Sequence, residues 1–290
     1  MNNSSYNIDR LKPKQFILHK IFINELIIEI KALTRRLYIQ TYRRPSTLLV
    51  GVIQPLLWII LFSALFQKTP ITLFNNNIKY HDFLSPGILI FTVFNGSINA
   101  GLPTMFDREF GFLNRILVSP LNNKYSIILA SMISTWMITI NQLIVITIFN
   151  IIMIKNFYII SCIYQIISLS TLIIISIASI SICLAFILPG HIEFLGFILI
   201  TNLPILFSST ALAPLQFMPY WLQILTCLNP LTYAIEILRY IHINGHIDYN
   251  HNIIKTIWIN LNINHSILIL IIINIINLIF IKYTIKYKYE

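Results

Sequence analysis

Charge is scarce in this sequence. Only 10% of its 290 residues are charged while 57% are hydrophobic, and the mean hydropathy is +0.77. A chain of this composition is not a water-soluble globule. Several of its apolar runs reach the ~20 residues that cross a ~30 Å hydrocarbon core. Cysteine is nearly missing as well. Cys162, Cys183 and Cys227 stand far apart without any C-x-x-C, so neither a zinc site nor a disulfide framework is indicated. None of the eight glycines is followed by Lys-Ser or Lys-Thr, which excludes a Walker phosphate loop. No G-x-S-x-G appears, so a hydrolase elbow is not signalled either. The first residues, with Asn2, Asn3, Ser4 and Ser5, lack the apolar core and cleavage site of a signal peptide. No cofactor and no enzymatic site is expected in this chain.

Isoleucine dominates what is present, Asn, Lys and Tyr are plentiful, and Ala is rare. That bias is produced by AT-rich coding sequence, as in many plastid genomes and some bacteria. A plastid membrane is the favoured location, with a bacterial inner membrane as the alternative.

Residues 1–46 hold nine of the twenty Lys and Arg residues. Within them Phe16 to Tyr38 is amphipathic, with Ile23, Leu26, Ile27, Ile30, Leu33 and Leu37 on one face and Glu25, Glu29, Lys31, Arg35 and Arg36 on the other. Charges at a bilayer centre cost roughly 2.5–3.5 kcal/mol each, so an interfacial helix is predicted there. A membrane domain over 47–290 follows. Its spans are predicted near Leu48–Phe66 (kinked at Gln54-Pro55), Phe83–Pro103, Ser126–Ile154, Ile159–Leu188, Phe194–Leu212 and Ile267–Tyr283. The fold class is all-α, polytopic, with six transmembrane helices. Between the last two spans, Pro219 to Leu225 and Leu231 to Ile243 read as short outer helices. His242, His246 and His251, near Asp248, fit no standard zinc spacing and read as surface histidines.

Six spans put both termini on one side with the 104–125 and 189–193 loops. That side carries fifteen of the twenty Lys and Arg residues. The positive-inside rule therefore places both termini in the cytoplasm or stroma. The net charge of +10 is explained by this placement, without nucleic acid. No Asp, Glu, Lys, Arg or His occupies the centre of a span, which disfavours an ion-coupled carrier.

One charged island interrupts the apolar pattern, from Met105 to Pro120. Phe106, Phe110, Leu113 and Leu117 fall on one face of a helix, while Asp107, Arg108 and Arg115 point elsewhere. Thr104-x-x-Asp107 resembles a capping box, and Ser119-Pro120 a stop. The island predicts one amphipathic helix, 106–119, between spans two and three.

Five blocks in order resemble the membrane subunits of type-2 ABC exporters. They are Arg43-Arg44-Pro45 with Gln54 to Trp58; Ser85-Pro86-Gly87; Phe106 to Gly111 with Leu117 to Leu121; Pro219-x-Trp221-Leu222; and Asn229 to Ala234 with Leu238-Arg239. The resemblance covers about residues 35–290. It implies a homodimer of six-span subunits in the lipid, paired with separate ATPase subunits, and a coupling helix after span two that docks in the ATPase. In that reading Asp107, Arg108, Glu109 and Arg115 make polar contacts with the partner, Phe106, Phe110 and Leu113 seat the helix, and Gly111 allows close approach. The substrate would be an amphiphile, a lipid or a glycan. Asn122-Asn123-Lys124 and the isoleucine-rich spans depart from the family pattern and leave the substrate path unread. The competing reading is a membrane scaffold or assembly factor that recruits a partner through 106–119 without a transport cycle.

Overall fold

The segment Phe83 to Ile98 is apolar on nearly every side, and it forms the centre of a helical bundle. The computed structural model describes residues 23–66, 80–118, 125–154, 163–245, 251–255 and 260–289. In chain order the helices are α1 (Ile23–Tyr42), α2 (Pro45–Leu65), α3 (Tyr80–Ile98), α4 (Gly101–Glu109), α5 (Phe112–Val118) and α6 (Tyr125–Ile154). They continue with α7 (Ile163–Ile187), α8 (His191–Phe207), α9 (Tyr220–Leu228), α10 (Pro230–Asn244) and α11 (Ile263–Tyr289). Helix α3 packs against α2, α6, α7 and α10, whereas α2 and α11 expose most of their apolar surface outward. An outward apolar surface is what lipid contact allows. One antiparallel ribbon, β1 (Asn252–Lys255) with β2 (Asn260–Asn262), adds a small exception to the all-helical expectation.

Among the described residues, five helical runs are long and apolar enough to cross a membrane: Pro45–Leu65, Tyr80–Glu109, Tyr125–Met153, Ile163–Ile187 and Ile263–Thr284. The segment expected as a fifth crossing at Phe194–Leu212 forms the shorter, 17-residue apolar helix α8, which starts at His191 and ends at Phe207. At 1.5 Å per residue it is ~25 Å long. Asn229 sets that end, donating from Nδ2 to the carbonyls of Ile205 at 3.0 Å and Ser208 at 3.2 Å. Ala211 and Leu212 therefore lie beyond the helix. Pro55 sits inside α2, which continues past it. In α1, Thr34 and Leu37 are buried where that helix packs along α6, and Arg36 is left free to reach the island. Residues 16–22 of the expected first helix, and the Ser119-Pro120 stop, fall outside the described residues.

Hydroxyls on the spans mostly bond back to their own helix. Ser131, Thr135, Thr139 and Thr147 of α6 each donate to a carbonyl three or four residues earlier. Asn150 does not follow them. It is fully buried, and neither amide atom has a partner among the described residues. A buried unsatisfied amide costs about 1–3 kcal/mol, so Asn150→Leu should stabilise the chain by roughly 1 kcal/mol or more. Thermal unfolding in detergent should show a higher midpoint. A lower midpoint would mean that the amide is used.

Candidate functional site

The island does not form one helix. Helix α3 breaks at Asn99-Ala100, α4 runs to Glu109, and the chain turns at Phe110-Gly111 before α5. The turn has a local cause. Gly111 adopts φ 69°, a left-handed conformation that glycine takes without a Cβ penalty. The amide of Phe110 donates to Phe106 and that of Gly111 to Arg108, closing the last turn of α4. This corrects the expected continuous 106–119 helix, because a left-handed residue cannot propagate a right-handed ladder. It also corrects the expected cap. Thr104 is a buried residue inside α4, whose first turn begins at Gly101. The break above α4 is satisfied from α7: the Ser181 hydroxyl donates to Ile98 carbonyl at 2.5 Å and accepts from Gly101 amide at 2.9 Å.

The three consecutive charges face three different elements. Asp107 accepts from Arg36 of α1 at 2.5 Å, and the Arg36 guanidinium also lies 4.0 Å over the Phe112 ring. Arg108 reaches the end of α7. It donates to the carbonyls of Ala185 (2.8 Å), Phe186 (3.2 Å) and Pro189 (2.7 Å), and to that of Leu188. The last carbonyls of a helix have no partner of their own, and a cation there is favoured by the helix dipole as well. Glu109 takes the opposite end of the next helix. Its carboxylate accepts from the His191 backbone amide and meets His191 Nδ1, each at 2.5 Å, at the first turn of α8. A carboxylate at a helix N-terminus satisfies a free amide and the positive dipole end together.

The remaining island residues divide by exposure. Phe106 is half-buried, stacked on Phe110 at 6.1 Å and tilted against His191 at 5.4 Å, with Arg44 above its ring. Leu113 is 2% exposed and belongs to a core cluster with Ile128, Ile182 and Phe186. Phe110 is 77% exposed, and Arg115 and Val118 are exposed beside it, while the space around Gly111 is open. The site is thus a hairpin of two short helices, tied by charge to α1, α7 and α8 and tipped by Phe110, Gly111 and Arg115.

Arg36 and His191 complete the site, and neither stands out in the sequence. Arg36 lies on the polar face of α1, and His191 ends a Pro189-Gly190-His191 turn. Nothing local links residue 36 to 107 or 109 to 191, which are 71 and 82 positions apart.

On the far side of α3 a second charged group is held. Arg239 of α10 is 6% exposed, paired with Glu236, donating to the Thr210 carbonyl at 2.6 Å, with its Cζ 3.7 Å over the Phe83 ring. Burial pushes this guanidinium's pKa down, and the Glu236 carboxylate pulls it back up. His242, expected at the surface, instead has both ring nitrogens buried, and His251 stacks on Tyr240 at 4.7 Å. His246 and Asp248 lie outside the described residues.

Residues 28–243 match the family model for the ABC-2 type transporter. The chain belongs to the ABC-2 type transporter family. The match covers the whole charged hairpin and the Glu236–Arg239 pair. Three algal proteins, each named "Putative transport permease ycf38", are similar over nearly their full length. The one from Porphyra purpurea is 47% identical over 268 residues, 92% of each chain. That from Pyropia yezoensis is 48% identical over 267 residues, 91% of each. That from Cyanophora paradoxa is 44% identical over 265 residues, 91% of this chain and 90% of the relative. This ABC-2 chain is a multi-pass membrane permease subunit. Red algae and a glaucophyte, the sources of these relatives, are plastid-bearing, and the plastid membrane is its location.

Proposed function

We propose that the chain is the transmembrane half of an ATP-driven exporter that moves an amphiphile, a lipid or glycan, with energy from a separate ABC ATPase subunit. The observation that carries this reading is the division of labour in the hairpin. Its charges bind helices of its own bundle, and its exposed aromatic and arginine tip is left for something outside. A push on Phe110, Gly111 and Arg115 would reach α1 through Asp107, α7 through Arg108 and α8 through Glu109. Phe106 stiffens the hairpin beneath the tip. Two copies of the chain would form the pathway, each with α8 as a sixth, short crossing. In this arrangement residues 1–46 form a stromal segment whose amphipathic helix flanks the hairpin, residues 47–290 form the membrane domain, and both termini are stromal. The chain itself hydrolyses nothing.

The test is what accompanies the chain from its membrane. Purified in mild detergent, it should bring a protein with a Walker motif, and the complex should hydrolyse ATP. A copurifying partner with no nucleotide-binding motif would overturn the exporter reading in favour of a scaffold.

A further inference from the structure

A cavity of about 230 Å³ lies where the end of α1 meets the first turns of α2 and the middle of α6. Its walls are of two kinds. Leu48 and Val52 of α2 are apolar, while Tyr38 and Thr41 of α1 and Asn141 and Gln142 of α6 carry polar atoms. The Thr41 hydroxyl is already spent on the Leu37 carbonyl at 2.9 Å. Gln142 is 8% exposed and borders this cavity, and its side-chain amide makes no hydrogen bond among the described residues. Asn141, next to it, is exposed and equally unbonded there.

The Gln142 amide is wedged deliberately close to two backbones. A Cβ on Gly51 of α2 would collide with its Nε2, and one on Gly96 of α3 would stand 3.1 Å from its Oε1. Packed between helices and 8% exposed, the side chain is shielded from water by the protein itself, so leaving its amide unbonded is costly. Its depth narrows the ligand. Gly51 follows Pro45 by six residues, a rise of ~9 Å, and exposed Arg43 and Arg44 mark the polar edge just before. That places the amide at about the headgroup–acyl boundary, ~5–10 Å below the surface. The groups a bilayer supplies at that depth are ester carbonyls above hydrocarbon. They match amide donors set among Leu48 and Val52.

We propose that this cavity binds the glycerol–ester region of a membrane glycerolipid from the leaflet on the hairpin's side, with Gln142 and Asn141 donating to its ester carbonyls. The lipid then sits between α1 and the α2–α6 pair. Because α1 carries Arg36, it adjoins the Asp107 end of the hairpin. The site stands whether or not the chain transports lipid.

The experiment uses the full chain with its copurifying partners in vesicles. The probes are an ester-linked phosphatidylcholine with a photoactivatable group on its acyl chain and the matched ether-linked lipid, which lacks the carbonyls. The ester lipid should label the α6 peptide around Gln142 about fivefold more than the ether lipid, the worth of one net hydrogen bond. Gln142→Leu should reduce ester labelling to the ether level, and Asn141→Leu should lower it as well. Equal labelling by the two lipids, or an ester preference that survives the substitutions, would overturn the proposal and leave ordinary annular lipid. Should Gln142→Leu fail to fold, the exposed Asn141→Leu decides alone.

Discussion

Arg239→Ala should destabilise the chain by about 3–5 kcal/mol, the cost of removing one partner from a buried pair. The effect is large because several groups lose their partner at once. Glu236 would be left as a part-buried carboxylate without its cation, and the Thr210 carbonyl would lose a donor at 2.6 Å. The Phe83 ring would lose the guanidinium 3.7 Å above it. Those contacts join α10 to the start of α3 and to the turn after α8, so the change loosens three elements. Lysine should not rescue it, since a point charge cannot serve a carboxylate, a carbonyl and a ring face together. Pairing Arg239→Met with Glu236→Leu should recover much of the loss, because the apolar pair leaves no buried charge. Thermal unfolding in detergent reads all of these. A shift for Arg239→Ala no larger than that for the exposed Arg115→Ala would remove the pair from the account of the fold.

The buried pair also illustrates what a sequence does and does not carry. Glu236 and Arg239 are visible as an i, i+3 pair, but their burial depends on Phe83 and Thr210, which no local pattern connects to them. Long apolar runs are legible because the bilayer demands their length. Thus α2, α6 and α7 begin and end within a few residues of the positions read from hydropathy, while α11 extends beyond the expected Ile267–Tyr283 at both ends. Hydropathy cannot register where a helix is stopped by a polar side chain from elsewhere. Asn229 ends α8 at Phe207, although Ala211 and Leu212 continue the apolar count. The hairpin departs from the expected single helix for a related reason. Counting Phe106, Phe110, Leu113 and Leu117 along one face assumes an unbroken helix, and Gly111 was the local sign that it breaks. The ribbon leaves no such sign, because strands of four and three residues are too short for an alternation to register.

In the proposed exporter the hairpin has two roles, docking through its tip and coupling through its charges, and substitutions should separate them by measurement. Phe110→Ala combined with Arg115→Glu should weaken binding of the ATPase subunit by about thirtyfold or more, as exposed aromatic and arginine anchors at an interface centre do. Arg108→Ala combined with Glu109→Ala should leave that affinity within about threefold, since both side chains are spent inside the chain, and rim groups contribute little to affinity. The second pair should instead lower permease-dependent ATP hydrolysis in the assembled complex about tenfold, equivalent to ~1.4 kcal/mol of lost coupling. The physical reason is geometric. Without Arg108 the final carbonyls of α7 lose their cation, and without Glu109 the first amide of α8 loses its cap. The hairpin can then move without moving either helix. Binding titrations with the purified ATPase subunit, followed by hydrolysis at saturating partner, distinguish the two outcomes. Loss of affinity in both variants would return Arg108 and Glu109 to the docking surface. Unchanged affinity and hydrolysis in both would take the hairpin out of coupling altogether.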